Sequence, residues 1–248
     1  MQVLDLRYVF PIKILQLLTI LLAAWIVARR SRHSIADYGL LWNRSIVLKF
    51  LEGSIWGFAM LSAVVGALLV LGYMHLDGLA MRGSTGLLYG LAWIGFFTAL
   101  GIVEEFFFRG YFLWMIARRM GFWSGAVIMA FAFGAAHLGN HGENFFGIVQ
   151  VITFAMVASL ALRRTGNLWF PIGIHMAWDW AQTYFYGTPD SGLIGVGHLF
   201  NSSASGPSWL AGGSSGPEGS VFSLVVLLLA VLLIHFRFPR PLYPDYPR

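Results

Sequence analysis

Long apolar runs separated by short polar breaks set the pattern of the chain. A membrane-spanning helix needs about 20 mostly apolar residues. Seven stretches approach or exceed that length: about 10–28, 53–74, 84–117, 121–138, 145–162, 168–186 and 219–236. Trp25, Tyr73, Trp169 and Tyr186 fall near their ends, where amphipathic rings favour the membrane–water boundary. The fold expected is all-α, a polytopic membrane helical bundle of about seven transmembrane helices, with eight as the alternative count. No internal repeat or soluble linker divides it, so residues 1–248 read as a single integral membrane domain. The first run ends in Arg29, Arg30 and Arg32 without a small-residue cleavage site, which reads as an uncleaved span.

Two connections exceed a tight turn. Residues 29–52 mix Ile35, Tyr38, Leu40, Leu41 and Trp42 with polar residues, as an interfacial segment does. Residues 187–218 are rich in Gly, Ser and Pro, with Asp190 and Glu218 their only charges. They read as an outer loop with a short apolar piece near 193–200.

Composition strengthens the membrane reading. Hydrophobic residues make up 58% of the chain and charged residues 11%, against about 25% charged in a soluble domain. The 16 Lys and Arg outnumber the 11 acids, but they stand singly or in pairs between apolar runs. That distribution anchors loops at a lipid bilayer and is no nucleic-acid surface. Cytoplasmic loops are enriched in Lys and Arg. Arg29, Arg30, Arg32, Arg44, Lys49, Arg118, Arg119, Arg163, Arg164, Arg237, Arg240 and Arg248 fall on one side of the alternation, against Arg7, Lys13 and Arg82 on the other. The chain is thus expected in a bacterial-type inner membrane, N-terminus outside and C-terminus cytoplasmic. No cysteine is present, which excludes disulfides, thiolate metal sites and a Cys nucleophile.

Ionisable residues at bilayer depth cost about 2.5–3.5 kcal/mol each and mark function by default. They concentrate on three predicted spans: Glu104, Glu105 and Arg109 in VEEFFFRG, His137 in FGAAH after Phe133, and His175 with Asp179 in HMAWD. Glu105 and Arg109 are i,i+4 and can pair; Glu104 points about 100° away. This assigns Glu105 and Arg109 to the scaffold and Glu104 to chemistry. Asp179, one turn from His175, is expected to fix its ring. Buried hydrogen bonds that merely hold helices together are the structural alternative. Gly53, Gly57 and Gly66 read as packing faces. His141 follows His137 by four, but Gly139, Asn140 and Gly142 oppose a continuous metal-binding helix there.

The set EExxxR, FxxxH and HxxxD, on three separate hydrophobic segments, resembles the CPBP family. These are the type II CAAX prenyl endopeptidases, or abortive-infection family, of intramembrane proteases. The resemblance covers about residues 100–186, including GNLWFPIGIH before the third motif; the catalytic core is placed at about 84–186. It implies an intramembrane catalytic cavity and endopeptidase activity on a membrane-associated protein or peptide. By motif position Glu104 is the catalytic Glu, with His137 and His175 as partners and Phe133 in support. Asp179 stands where Asn is common.

Without Cys, a water nucleophile is the economical choice. Glu104 then serves as general base, His137 positions the water, and His175 donates to the oxyanion. No cofactor is favoured. The alternative is a zinc-dependent protease using Glu104, His137 and His175 as ligands. A non-catalytic membrane scaffold of the same fold is the remaining rival, beside a proton-relay transporter for which no inverted repeats are seen.

Overall fold

The computed structural model describes residues 2–140 and 142–247; His141 lies outside them. Helices dominate. They are α1 (Leu6–Ser31), α2 (Ile46–Val70), α3 (Gly83–Glu105), α4 (Leu113–Met120), α5 (Phe122–His137), α6 (Phe145–Thr165), α7 (Trp169–Trp180), the single turn α8 (Ser208–Ala211) and α9 (Val221–Arg237). A π-helical stretch, Phe106–Phe112, joins α3 to α4 in one rod of 38 residues, and a second, Ala181–Phe185, extends α7. Each predicted apolar stretch is thus a helix, and the chain is an integral membrane protein. Four helical segments are long and apolar enough to cross a membrane: α1, α2, the α3–α4 rod and α6. The helices α5 and α9 are apolar but shorter.

The predicted boundaries fail in one place. Helix α2 starts at Ile46, so the expected interfacial segment shrinks to a 3₁₀ turn at Ile35–Tyr38 and its flanks. The Gly- and Ser-rich loop is more ordered than its composition suggested. It contributes β3 (Leu193–Gly195), parallel to β1 (Gln2–Leu4), and β4 (Phe200–Ala204), antiparallel to β2 (Met74–Leu79). The N-terminus, the α2–α3 connection and the loop after α7 therefore meet at one end of the bundle.

Basic residues gather at the other end. Arg164 reaches the Pro239 carbonyl at 2.5 Å, and Arg163 pairs with Asp245 at 3.2 Å. Arg237 pairs with Glu52 at 3.0 Å. Between α4 and α5 the chain reverses at Gly121 alone, whose φ of 83° is open to glycine and strained for other residues.

Helix α7 is the axis. Every residue from Trp169 to Asp179 is buried, as expected of a helix apolar on all sides. Its closest neighbour is α2. A Cβ at Gly53 would overlap the Phe170 carbonyl, one at Gly57 the Ile174 carbonyl, and one at Gly173 the Phe50 carbonyl. These glycines let two backbones touch, so α2 fixes the height and rotation of the helix that carries His175. Gly66 has no such role: nothing lies within 4 Å of a Cβ there.

Candidate active site

At the end of α3 the two glutamates part as helical spacing requires. The Glu105 side chain is fully buried and its partner Arg109 is 1% exposed. Arg109 Nη1 donates to Glu105 Oε1 at 3.1 Å. The guanidinium also lies 4.1 Å from the centre of the Phe133 ring, a cation–π contact that offsets part of its desolvation. The predicted pair is present, and it does more than brace α3. The same Glu105 oxygen lies 2.8 Å from His175 Nδ1. Since a carboxylate can only accept here, Nδ1 carries the proton. Glu105 thereby ties α3 to α7 and sets the His175 ring.

Asp179, expected to orient His175, meets the ring from its opposite edge: its Oδ2 lies 3.4 Å from Nε2. Nδ1 is turned towards α3, so Asp179 one turn along α7 reaches only the far nitrogen. Glu104 Oε2 approaches the same Nε2 at 3.8 Å. His137 is fixed from its own helix: Nδ1 donates to the Phe133 carbonyl at 2.9 Å. A neutral His137 therefore presents Nε2 as an acceptor. The Phe133 ring packs against His137 at 4.6 Å and His175 at 6.2 Å.

Glu104, His137, His175 and Asp179 all line one cavity of about 400 Å³, with Phe133 in its wall. Glu105 and Arg109 stand behind that wall. Exposed Ile12 and Gln16 of α1 and exposed Ala136 of α5 border it. Sequence reasoning missed several contributors: Lys13 of α1, Phe108 of the π-helical stretch, Gln150 of α6, and the loop residues Asp190 and Glu218. The only signal for the last two was their isolation as charges in a long neutral loop. Among the described residues no group of three His, Asp or Glu side chains is disposed to hold a metal ion. Glu104, His137 and His175 are of the types that ligate a catalytic zinc, though the three are not gathered as a ligand set here.

Two carboxylates of the loop after α7, Asp190 and Glu218, line the cavity, and Glu143 of the α5–α6 connection is close to Glu218. Burial raises the Asp190 carboxyl well above its ordinary range, and repulsion from Glu218 and Glu143 adds to it. Burial likewise raises Glu218, against the Ser191 hydrogen bonds that lower it. Glu143 is pushed up to about 8 by burial and by Glu218.

Residues 86–181 match the family model described as type II CAAX prenyl endopeptidase Rce1-like. The chain carries an Rce1-like core. That core runs from α3 through α7 and contains Glu104, Glu105, Arg109, Phe133, His137, His175 and Asp179. Over that segment, which is less than half of the chain, the protein is similar to CAAX-type endopeptidases. No curated protein and no solved structure matches the chain significantly. The loop that brings Asp190 and Glu218 to the cavity lies beyond the Rce1-like core.

Proposed function

We propose that the protein is an intramembrane endopeptidase in which Glu104 activates a water against a peptide bond of a membrane-associated protein or peptide. One observation carries this reading: Glu104, His137, His175 and Asp179, drawn from three helices, line a single cavity beside the buried Glu105–Arg109 pair. Glu104 takes a proton from water as the oxygen attacks the carbonyl carbon. It returns that proton to the amine as the C–N bond breaks. His137, held by the Phe133 carbonyl, accepts a hydrogen bond from the water through Nε2. His175, with a proton on each ring nitrogen, donates to Glu105 through Nδ1 and to the oxyanion through Nε2. Asp179 holds that Nε2 proton until the oxyanion forms.

Seven spans, an outer N-terminus and a cytoplasmic C-terminus in a bacterial-type inner membrane complete the reading. The strand-bearing connections and the Arg-rich connections at opposite ends of the bundle support it.

The test is peptide turnover by purified protein and by Glu104→Gln, with unfolding temperature measured in the same detergent. The variant should unfold with the wild type and lose roughly 10²–10⁴-fold in rate, the usual worth of a general base. Wild-type turnover by Glu104→Gln would leave the non-catalytic scaffold as the better account.

A further inference from the structure

Helix α6 carries one amide that neither the fold nor the proposed chemistry uses. Between Phe145 and Leu162 its polar side chains are Gln150, Thr153 and Ser159. The two hydroxyls bond within the helix: Thr153 Oγ1 donates to the Val149 carbonyl and Ser159 Oγ to the Ala155 carbonyl, each at 2.8 Å. Gln150 has no such outlet. It is 2% exposed, and that remnant faces the cavity. Among the described residues its side-chain amide makes no hydrogen bond, yet its atoms are not sealed in the protein as the Gln182 carbonyl oxygen is. A polar group without a partner in a membrane helix is costly unless something in the cavity completes it.

Its buried polar neighbours in the cavity wall are already engaged: His175 by Glu105, Asp190 by Thr183 and Glu218 by Ser191. The other carboxamides that line the cavity, Gln16 and Asn140, are exposed and half-buried. The Gln150 amide is neutral and two-sided, with N–H donors and a carbonyl acceptor. That is the complement of a main-chain peptide group, which has one donor and one acceptor.

Helix geometry gives its height. Helices α6 and α7 are joined by residues 166–168 alone and so run antiparallel. The Phe154 ring of α6 lies 5.3 Å from the His175 ring and 6.0 Å from the Trp178 ring. Gln150 is four residues nearer the start of α6, about 6 Å along the axis at about 1.5 Å per residue. Between antiparallel helices that step leads past His175 towards Asp179 and the loop after α7. An extended chain covers about 3.3 Å per residue, so Gln150 stands about two residues along a bound peptide from the bond held at Glu104 and His175.

We propose that Gln150 is a substrate-binding residue whose amide pairs with a main-chain peptide group about two residues from the scissile bond. The position of that bond rests on the protease reading; the contact with peptide backbone does not. Such a contact fixes the register of the chain in the cavity, and so where it is cut, without selecting its side chains.

The probe is the peptide that wild type cuts fastest, or binds most tightly if none is cut, from a set of quenched prenylated CAAX and unmodified transmembrane peptides. Copies of it each carry one ester in place of an amide. Turnover and melting are measured on the full chain in detergent for wild type and Gln150→Met, which keeps the length and loses the amide. Binding of intact peptides is measured with Glu104→Gln and with the double variant Glu104→Gln/Gln150→Met. Gln150→Met should melt at or above the wild type, because it removes a buried polar group that no protein group satisfies. Its KM should rise about tenfold, as for a peptide group that loses its partner. Its kcat should stay within about threefold, because the bond is made in ground state and transition state alike. An ester about two residues from the cut should weaken binding to Glu104→Gln about tenfold and leave the double variant unmoved.

Melting below the wild type with the ester effect intact would make Gln150 a structural residue and overturn the proposal. So would a fall in kcat at unchanged KM, or an ester scan identical in the two binding variants. An ester effect that depends on Gln150, with no peptide cut by wild type, would support the backbone site and overturn the protease reading. Neither binding nor turnover across the whole set would overturn both.

Discussion

Replacing Glu105 by Gln tests the centre of the site, because one carboxylate oxygen there serves two helices. In the native protein Oε1 accepts from Arg109 Nη1 and lies 2.8 Å from His175 Nδ1. The side chain is fully buried and Arg109 is 1% exposed. Gln keeps the shape and one acceptor but removes the charge. Leaving a buried ion without its partner costs about 3–5 kcal/mol. At roughly 2–4 °C per kcal/mol for a chain of this size, the unfolding temperature should drop by roughly 6–20 °C. The second effect is on His175: losing a hydrogen bond to a charged group costs about 1.5–3 kcal/mol. If that loss falls on the transition state, it slows turnover roughly 10–150-fold.

The assay is unfolding in one detergent together with single-turnover kinetics, for Glu105→Gln, Arg109→Gln and the double variant. Arg109→Gln leaves the contact with His175, so it should lose stability and keep more activity than Glu105→Gln. The double variant should be less unstable than the two single losses added. Strict additivity, or a Glu105→Gln protein melting with the wild type, would refute the shared-carboxylate account.

Three further outcomes follow from the same geometry. Gly57→Ala drives a methyl into the Ile174 carbonyl; it should cost about 1–3 kcal/mol by overpacking and lower kcat by displacing His175, whereas Gly66→Ala should leave both unmoved. Glu143, raised to about 8 in the folded protein from an ordinary 4.5, contributes stability that is fully present below its unfolded value and is lost as pH rises through about 8. Melting temperature should therefore fall as pH rises from about 4.5 to about 8, and Glu143→Gln should flatten that slope; an unchanged slope would assign it to other groups. Reporter fusions after Arg240 and within 202–216 should report opposite sides of the membrane, and a same-side result would mean that α9 does not cross and the spans are miscounted.

How far the sequence reached depends on the kind of interaction. Apolar runs named every long helix because burial in lipid or in the bundle is a property of composition along the chain. The start of α2 escaped because Ile46–Glu52 carries Lys49 and Glu52, which pair at 2.9 Å in the folded chain. Taken singly, such charges look like loop residues. The two π-helical stretches were invisible for a different reason: an extra residue per turn alters hydrogen bonding without changing hydropathy. One of them begins directly after Glu105 and carries Phe108 to the cavity wall.

In the site, the residues that helical spacing could pair were legible, while contacts between helices were not. Glu105–Arg109 followed from i,i+4 spacing. The bond from His175 to Glu105 spans 70 positions, and no local rule selects it over Asp179. Once α2 and α7 touch through Gly53, Gly57 and Gly173, the rotation of α7 is fixed and Nδ1 faces α3. The choice of carboxylate is therefore made by glycines, two of them on α2, a helix that carries no chemistry of its own. Asp190 and Glu218 extend the same logic. They enter the cavity because β1 holds β3 and β2 holds β4, folding the loop back over the helix ends. Weakening a strand pair should then alter substrate preference before it alters chemistry at Glu104. Leu76→Pro, which removes a backbone donor from β2, provides that separation: the ranking of peptide substrates should change while turnover of at least one persists. Equal loss on every peptide would show that the loop supports the catalytic residues themselves.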